Sequence, residues 1–232
     1  MTISDLIDIY MFDYISTTHH THLSQCGCCS MVEEMNEIRR KYLNKTPLKD
    51  IIKECICNRH GHQYCISEDA VNSATEALFR GKFIQDNCTE IPFIKENQKR
   101  YDLNECFNDF EELYDFIRFA IGGTTGIGPL TVYDTARRIG HLYKKTIYPK
   151  MYVYLAAGAK KGAENLLSNT DLHFREPIDL FKPYFGTMPS AFIEDMLCIY
   201  KNVLKNITTC SSREEIYKIV KPVFVYQGVN AI

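Results

Sequence analysis

The chain has 232 residues, a formal net charge of −2, 45% hydrophobic residues and 24% charged residues. These values are typical of a globular protein that is long enough to bury a sizeable core. They exclude a protein coated in basic residues, so any nucleic-acid surface has to be a local patch. No segment approaches the ~18 consecutive apolar residues that a membrane helix needs, so we expect no membrane contact.

The cysteine content bears on the cellular compartment. The chain has ten cysteines, a number compatible both with a secreted disulfide framework and with a protein whose thiols are reduced. The N-terminal stretch carries Asp5, Asp8 and Asp13 without a leading positive charge, which is not the pattern of a signal peptide. We therefore expect reduced thiols in a cytoplasmic protein.

Apolar residues at helical spacing, together with capping signals, predict four helices in the first third of the chain. Ser30 with Glu33 three residues later has the pattern of a capping box, and Ser67 is another N-cap candidate. Thr46 and Pro47 suit the cap and the first position of a helix. The predicted helices cover 4–16 with Ser4 as cap, 30–43, a stretch from 46 to about 55, and 67–80.

A segment rich in cysteine and histidine follows the third predicted helix. Thiolate and imidazole are the ligands that zinc prefers, so this segment is a candidate zinc site. The candidate ligands are Cys55, Cys57, His60, His62 and Cys65. Their C-x-C and H-x-H spacings are poor for a closed tetrahedron. The sequence therefore favours no cofactor, with the cysteines packed as small apolar residues.

Three residues are candidates for proton transfer if the protein is an enzyme. His60 and His62 stand before a capped helix and could line a polar pocket, since histidine exchanges protons near neutral pH. The alternative, a hydrogen-bonded turn, is the one the sequence favours. Asp134 is the third candidate, but Arg137 and Arg138 follow it at helical spacing, which indicates a local ion pair.

Residues 82–107 interrupt the helical pattern. Pro92 and the charged run at 95–100 predict a long loop with at most a short extended piece. We expect this loop to separate an N-terminal lobe, residues 1–98, from a second lobe, residues 99–232.

The stretch from 108 to 145 predicts two amphipathic helices joined by a glycine-rich turn. Asn108 with Glu111 is a candidate cap of the first helix. Gly122 and Gly123 would end it, because glycine accepts the left-handed conformation that follows a helix. The apolar stripes are Phe110, Leu113, Ile117 and Ala120 in the first helix, and Val132, Ala136, Ile139 and Tyr143 in the second.

The turn itself, residues 125–129, predicts an anion site. Gly126 and Gly128 let the backbone turn sharply while Ile127 fills the gap between the helices. The N–H groups of both glycines and of the following helical turn would point outward and form a donor site for one phosphate. Pro129 suits the first helical position, where its missing N–H costs nothing.

These residues resemble the helix-hairpin-helix motif of DNA-binding and DNA-repair proteins. The match is Gly-Ile-Gly-Pro at 126–129, followed by a helix with basic residues about three turns on. A looser resemblance to the helix-hairpin-helix DNA glycosylase superfamily runs from about 108 to 167. The resemblance implies contact with the phosphates of double-stranded DNA. The implied contact residues are Thr125, Gly126, Ile127 and Gly128 in the turn, and Arg137, Arg138, Lys144 and Lys145 after it.

Two positions separate this chain from the catalytic members of that superfamily. The lysine of lyase-type glycosylases follows the second hairpin glycine by two residues, where this chain has Leu130. The aspartate expected near the start of the next helix has no counterpart around Met151. Neither side chain can form a Schiff base or stabilise an oxocarbenium-like sugar, so these departures favour a binder over a glycosylase.

The last third of the chain predicts three further helices. Small residues from Ala156 to Ala163 would allow another backbone to approach closely. Glu194 and Asp195 are adjacent and indicate a solvated helix start. The predicted elements are a helix over 150–167, a loop over 168–189, a helix from Ser190 to about Asn206, and a helix capped by Ser212 and Glu215.

Together these patterns predict an all-α or nearly all-α protein of about eight helices, in two lobes around the hairpin. The predicted function is DNA binding through the phosphate backbone without sequence specificity. Two alternatives stay open: a divergent base-excision glycosylase, and an interaction protein in which the hairpin is a packing corner. A packing corner would bury the glycine N–H groups or cap them internally.

Overall fold

The computed structural model describes residues 1–11, 31–57, 66–80, 82–85, 89–92, 107–142, 148–207, 212, 214–216 and 218–219. These residues are mostly helical, which confirms the predicted fold class. Two antiparallel sheets of two strands each are also present. Within the described ranges, no helix is long and apolar enough to cross a membrane.

The elements are numbered in chain order. The helices are α1 (Ile3–Ile9), α2 (Met31–Leu43), α3 (Leu48–Ile56), α4 (Glu68–Arg80), α5 (Phe110–Ile121), α6 (Pro129–Leu142), α7 (Ala157–Leu167), α8 (Lys182–Phe185), α9 (Ser190–Ile199) and α10 (Lys201–Leu204). The strands are β1 (Lys82–Gln85), β2 (Thr89–Pro92), β3 (Tyr152–Tyr154) and β4 (Arg175–Pro177), and a 3-10 turn covers Ile178–Leu180.

The chain forms two compact units, one of residues Glu33–Tyr148 and one of Met1–Val32 with Pro149–Ile232. This division differs from the expected boundary between residues 98 and 99. The hairpin helices α5 and α6 pack on α4 and α3, so the hairpin shares a unit with helices from before that boundary. A long connection can return the chain to the same core, and its length alone therefore does not mark a domain boundary.

The core of unit Glu33–Tyr148 contains most of the apolar stripes that the sequence predicts; Ala120 is only half-buried, and Tyr143 lies outside the described residues. The buried stripe residues are Phe110, Leu113 and Ile117 of α5, and Val132, Ala136 and Ile139 of α6. The rings of Phe110 and Tyr133 meet in a T-shaped arrangement, with 6.0 Å between centroids and an interplanar angle of 84°. This aromatic contact joins α5 directly to α6.

Two predicted helix caps are confirmed. The hydroxyl of Ser67 accepts a hydrogen bond from the N–H of Ala70 at 3.2 Å, at the start of α4. Ser212 and Glu215 form both bonds of a capping box, each 3.3 Å long. The predicted cap at Ser30 lies outside the described residues.

Three other helices begin at slightly different residues from those predicted. Asp109, rather than Asn108, caps α5, because its carboxylate accepts the N–H three residues on at 2.9 Å. Thr2, rather than Ser4, caps α1. Pro47 occupies the cap position of α3 with an extended ψ of 133°, so the helix begins one residue later than predicted.

Strands form where the sequence predicts helix or loop. The prediction of helix from residue 150 is wrong at its start, because β3 pairs antiparallel with β4, with Val153 opposite Glu176, and α7 begins only at Ala157. Alternating aromatic and β-branched residues suit β3. Its partner is more than 20 residues away along the chain and lies in the predicted loop, so local periodicity does not reveal the pairing. Similarly, β1 and β2 pair within the predicted loop over 82–107.

Close packing of α7 on α9 is central to the second unit. A Cβ atom on Gly162 would collide with the backbone carbonyl of Leu197, and one on Gly158 would lie 2.5 Å from the Sγ of Cys198. The predicted close approach of another backbone to this helix is therefore confirmed.

Glu194 and Asp195 do not form the solvated helix start that the sequence indicates. They are only 6% and 4% exposed, and Oδ2 of Asp195 accepts a hydrogen bond from the hydroxyl of Tyr10 at 3.1 Å. The helix that carries them, α9, packs on both α7 and β3, so little of its circumference is left for solvent. The helix also ends at Ile199 rather than near residue 206.

Candidate nucleic-acid interface

Backbone hydrogen bonds define the turn between α5 and α6. The N–H of Thr124 donates to the carbonyl of Ile121 at 2.9 Å, and the N–H of Ile127 donates to the carbonyl of Thr124 at 3.0 Å. Ile127 is 8% exposed, so its side chain is buried as predicted. Pro129 is the first residue of α6, also as predicted.

The glycines of the turn have different structural roles. Gly126 has a φ of +86°, which side-chain-bearing residues disfavour, and a Cβ there would lie 3.2 Å from the Cβ of Ala70 in α4. A Cβ on Gly128 would meet nothing within 4 Å. Gly122 ends α5 with a right-handed φ of −65°, so the predicted left-handed stop is wrong and the left-handed residue of the turn is Gly126.

Several backbone N–H groups of this turn make no hydrogen bond within the described part of the structure. Gly126 is exposed and Gly128 is half-buried. The N–H groups of Gly126, Gly128, Leu130 and Thr131 donate no hydrogen bond to any residue that the structure describes. The first turn of α6 also carries no acidic residue, so nothing in it offsets the partial positive charge of the helix N-terminus. The turn thus retains the donors that a bound phosphate would need.

The basic residues predicted to contact phosphate differ in exposure to solvent. Arg138 is 8% exposed, and its Nη1 donates to the carbonyl of Cys55 at 3.2 Å. It connects α6 to the end of α3, so it is not the exposed phosphate contact that the sequence predicts. Arg137 is half-buried, with its guanidinium 5.4 Å from the centroid of an aromatic ring on its own helix. Lys144 and Lys145 lie outside the described residues.

Acidic side chains border the turn where it contacts α4. Ala70, the neighbour of Gly126, directly follows Glu68 and Asp69 in the first helical turn. Both carboxylates are exposed. The Nζ of Lys53 lies 3.5 Å from Oε1 of Glu68. The negative charge of the two carboxylates opposes an anion bound at the turn, and added salt screens this repulsion as it screens attraction.

The candidate metal ligands are only partly within the described residues. Cys55 is buried and Cys57 is half-buried. His60, His62 and Cys65 lie outside the described ranges. Where side chains are described, no three His, Cys, Asp or Glu residues are grouped as metal ligands would be.

The positions that differ from lyase-type glycosylases are both exposed. Leu130 in the first turn of α6 is 39% exposed, and Met151 just before β3 is 56% exposed. Neither can ionise. Asp134 is half-buried on α6. The turn therefore offers donors for an anion, and no nucleophile at the position where that superfamily has its lysine.

Phe119, in the last turn of α5, is a surface residue that the apolar stripes do not predict. Its side chain is 86% exposed. The neighbouring Arg118 is also exposed and lies 3.6 Å from Asp115. At about 100° per residue, Phe119 falls roughly 200° around the helix from Ile117 in the buried stripe. That spacing is visible in the sequence and marks the residue as apolar on a polar face.

No protein-family model, no curated protein and no solved structure matches this chain.

Proposed function

We propose that this protein binds DNA through the phosphate backbone, without reading the base sequence, and that the turn between α5 and α6 makes the contact. The observation that carries the proposal is the set of backbone N–H groups unused among the described residues, at Gly126, Gly128, Leu130 and Thr131. They lie at the N-terminus of a helix, where the dipole adds partial positive charge. A phosphate oxygen is well suited to such a site.

Backbone donors account for the proposed lack of sequence specificity. Phosphates recur along DNA whatever the bases are, and contacts to them carry no sequence information. Arg137 lies about 12 Å along α6 from Pro129, at 1.5 Å per residue, which is close enough for a neighbouring phosphate of the same DNA. We expect modest affinity, because Glu68 and Asp69 oppose the anion and Arg138 is buried.

The packing-corner alternative would bury the glycine N–H groups or cap them internally. At the exposed start of a helix, N–H groups that are not capped bind water and stay open to a ligand. The N–H of Ile127 is capped by Thr124, whereas those of the flanking glycines have no acceptor among the described residues. The glycosylase alternative has no supporting side chain at Leu130.

Fluorescence anisotropy with a short labelled duplex tests the proposal. Gly128→Val places a side chain at the donors, where an added Cβ meets nothing within 4 Å. Hydrogen bonds to charged groups contribute about 1.5–3 kcal/mol, so we expect binding to weaken roughly tenfold to 150-fold. Gly123→Val is the matched control, because a Cβ there also meets nothing within 4 Å.

Asp69→Asn is the complementary variant, since it should strengthen binding. Removing the negative charge one residue before Ala70, the neighbour of Gly126, should raise affinity at low salt, and the gain should shrink as salt screens the charge. Wild-type protein that binds no duplex, or a Gly128→Val variant that binds as tightly as Gly123→Val, would contradict the proposed function.

A further inference from the structure

The exposed aromatic ring of Phe119 gives the proposed interface a second chemical feature. Among the exposed large hydrophobic side chains of the described residues, it is the most exposed, at 86%. The other aromatic residues of the same helix, Phe110, Tyr114 and Phe116, are buried. Covering an exposed aromatic ring with another apolar surface lowers the free energy, because apolar area is removed from water.

Phe119 lies at the same end of α5 as the unused N–H groups. It precedes Gly122 by three residues, about 4.5 Å along the helix. Packed helices have axes about 8–10 Å apart, so the ring lies within roughly 20 Å of the start of α6. Leu130, 39% exposed in the first turn of α6, adds apolar surface near the same turn.

We propose that Phe119 stacks on an unpaired base of the DNA whose phosphate the turn holds, so that the protein prefers DNA containing unpaired nucleotides to an intact duplex. This inference rests on the proposed function. In an intact duplex each base face is covered by the neighbouring base pairs, so an aromatic side chain finds no open face on which to stack. An unpaired nucleotide presents its face, and stacking on it tolerates any base. A gap or a single-stranded tail provides both a phosphate and such a base.

A tryptophan at position 119 gives a direct readout of stacking. The chain has no tryptophan, so Phe119→Trp introduces the sole indole, at a site too exposed to disturb the core. We expect its fluorescence to be quenched when a gapped duplex is added. An intact duplex should bind with much less quenching. Tryptophan fluorescence that stays unchanged on saturation with gapped DNA would overturn the inference.

Affinities of Phe119→Ala provide the second test. Base stacking on an aromatic residue contributes about 1–3 kcal/mol per base, so wild-type protein should bind a gapped duplex roughly fivefold to 150-fold more tightly than an intact one. Phe119→Ala should remove most of that preference and leave intact-duplex affinity nearly unchanged. Leu43→Ala, which removes another exposed apolar side chain of the same unit, is the matched control and should keep the preference.

The outcomes separate this inference from the proposed function. If wild-type protein binds no DNA, the proposed function fails and the inference fails with it. If it binds gapped and intact duplexes equally, and Phe119→Ala changes neither affinity, only the inference fails. Self-association that depends on Phe119, with no effect on DNA affinity, would assign the ring to a second copy of the chain and would likewise overturn the inference.

Discussion

Arg137 and Arg138 are neighbours in sequence, and replacing each by methionine should affect different properties of the protein. Arg138 donates a charged hydrogen bond to the carbonyl of Cys55 in a buried position. Such bonds contribute about 1.5–3 kcal/mol, and each kcal/mol corresponds to about 2–4 °C in Tm for a chain of this size. Arg138→Met should therefore lower Tm by roughly 3–12 °C. Methionine retains most of the apolar stem, so the loss reflects the missing donor.

Arg137→Met should leave stability nearly intact and change the salt dependence of DNA binding. Its ring contact contributes about 0.5–1 kcal/mol at a partly exposed site. Removing one phosphate-neutralising charge should reduce the slope of log affinity against log salt by about one. Thermal unfolding and anisotropy titrations over a salt series measure both quantities. If Arg138→Met reduced the slope of log affinity against log salt and left Tm unchanged, the assignment of Arg138 to stability and of Arg137 to DNA binding would be refuted.

Three further predictions concern the fold and the metal. Gly162→Ala should destabilise by about 1–3 kcal/mol in urea unfolding, because its Cβ would collide with the carbonyl of Leu197; stability equal to wild type would argue against this packing. Burial, and secondarily the charge of Arg39, lowers the pKa of His141 in the folded protein. At low pH the unfolded chain therefore binds more protons than the folded protein does. The free energy of unfolding should fall as the pH drops below about 6.5. His141→Gln should flatten that fall, and an unchanged pH profile would count against it. Protein prepared without added zinc should carry well under one equivalent by elemental analysis, because the spacings suit a closed tetrahedron poorly; stoichiometric zinc would contradict this.

Features set by local spacing could be predicted from the sequence. Helical periodicity identified the buried side of α5 through Phe110, Leu113 and Ile117, and the serine cap of α4 was visible at Ser67. The small residues of α7 correctly indicated a close approach of another backbone. These signals act within a few residues, where propensity and capping chemistry decide the structure.

Features set by tertiary packing could not be predicted. Adjacent residues on a helix differ in direction by about 100°, so the sequence does not say which of Arg137 and Arg138 faces the neighbouring helix. Glu194 and Asp195 are buried because α9 is covered by two elements, which a single-helix pattern does not contain. The pairing of β3 depends on a strand that is distant in sequence. The buried position of Ile127 and the helix start at Pro129 needed no such information, since the turn residues specify them locally.

Direct observation of the glycine amides tests the central claim, that backbone N–H groups of the turn hold a DNA phosphate. The chain has 12 glycines, so labelling glycine alone with ¹⁵N limits the spectrum to that many backbone signals. The signal lost in Gly128→Val is assigned by its absence. On titration with a short duplex, the Gly126 and Gly128 amide protons should shift downfield as they donate to phosphate, while those of Gly158 and Gly162, packed on α9, should not move. DNA bound to saturation without a change at Gly126 and Gly128 would contradict the claim.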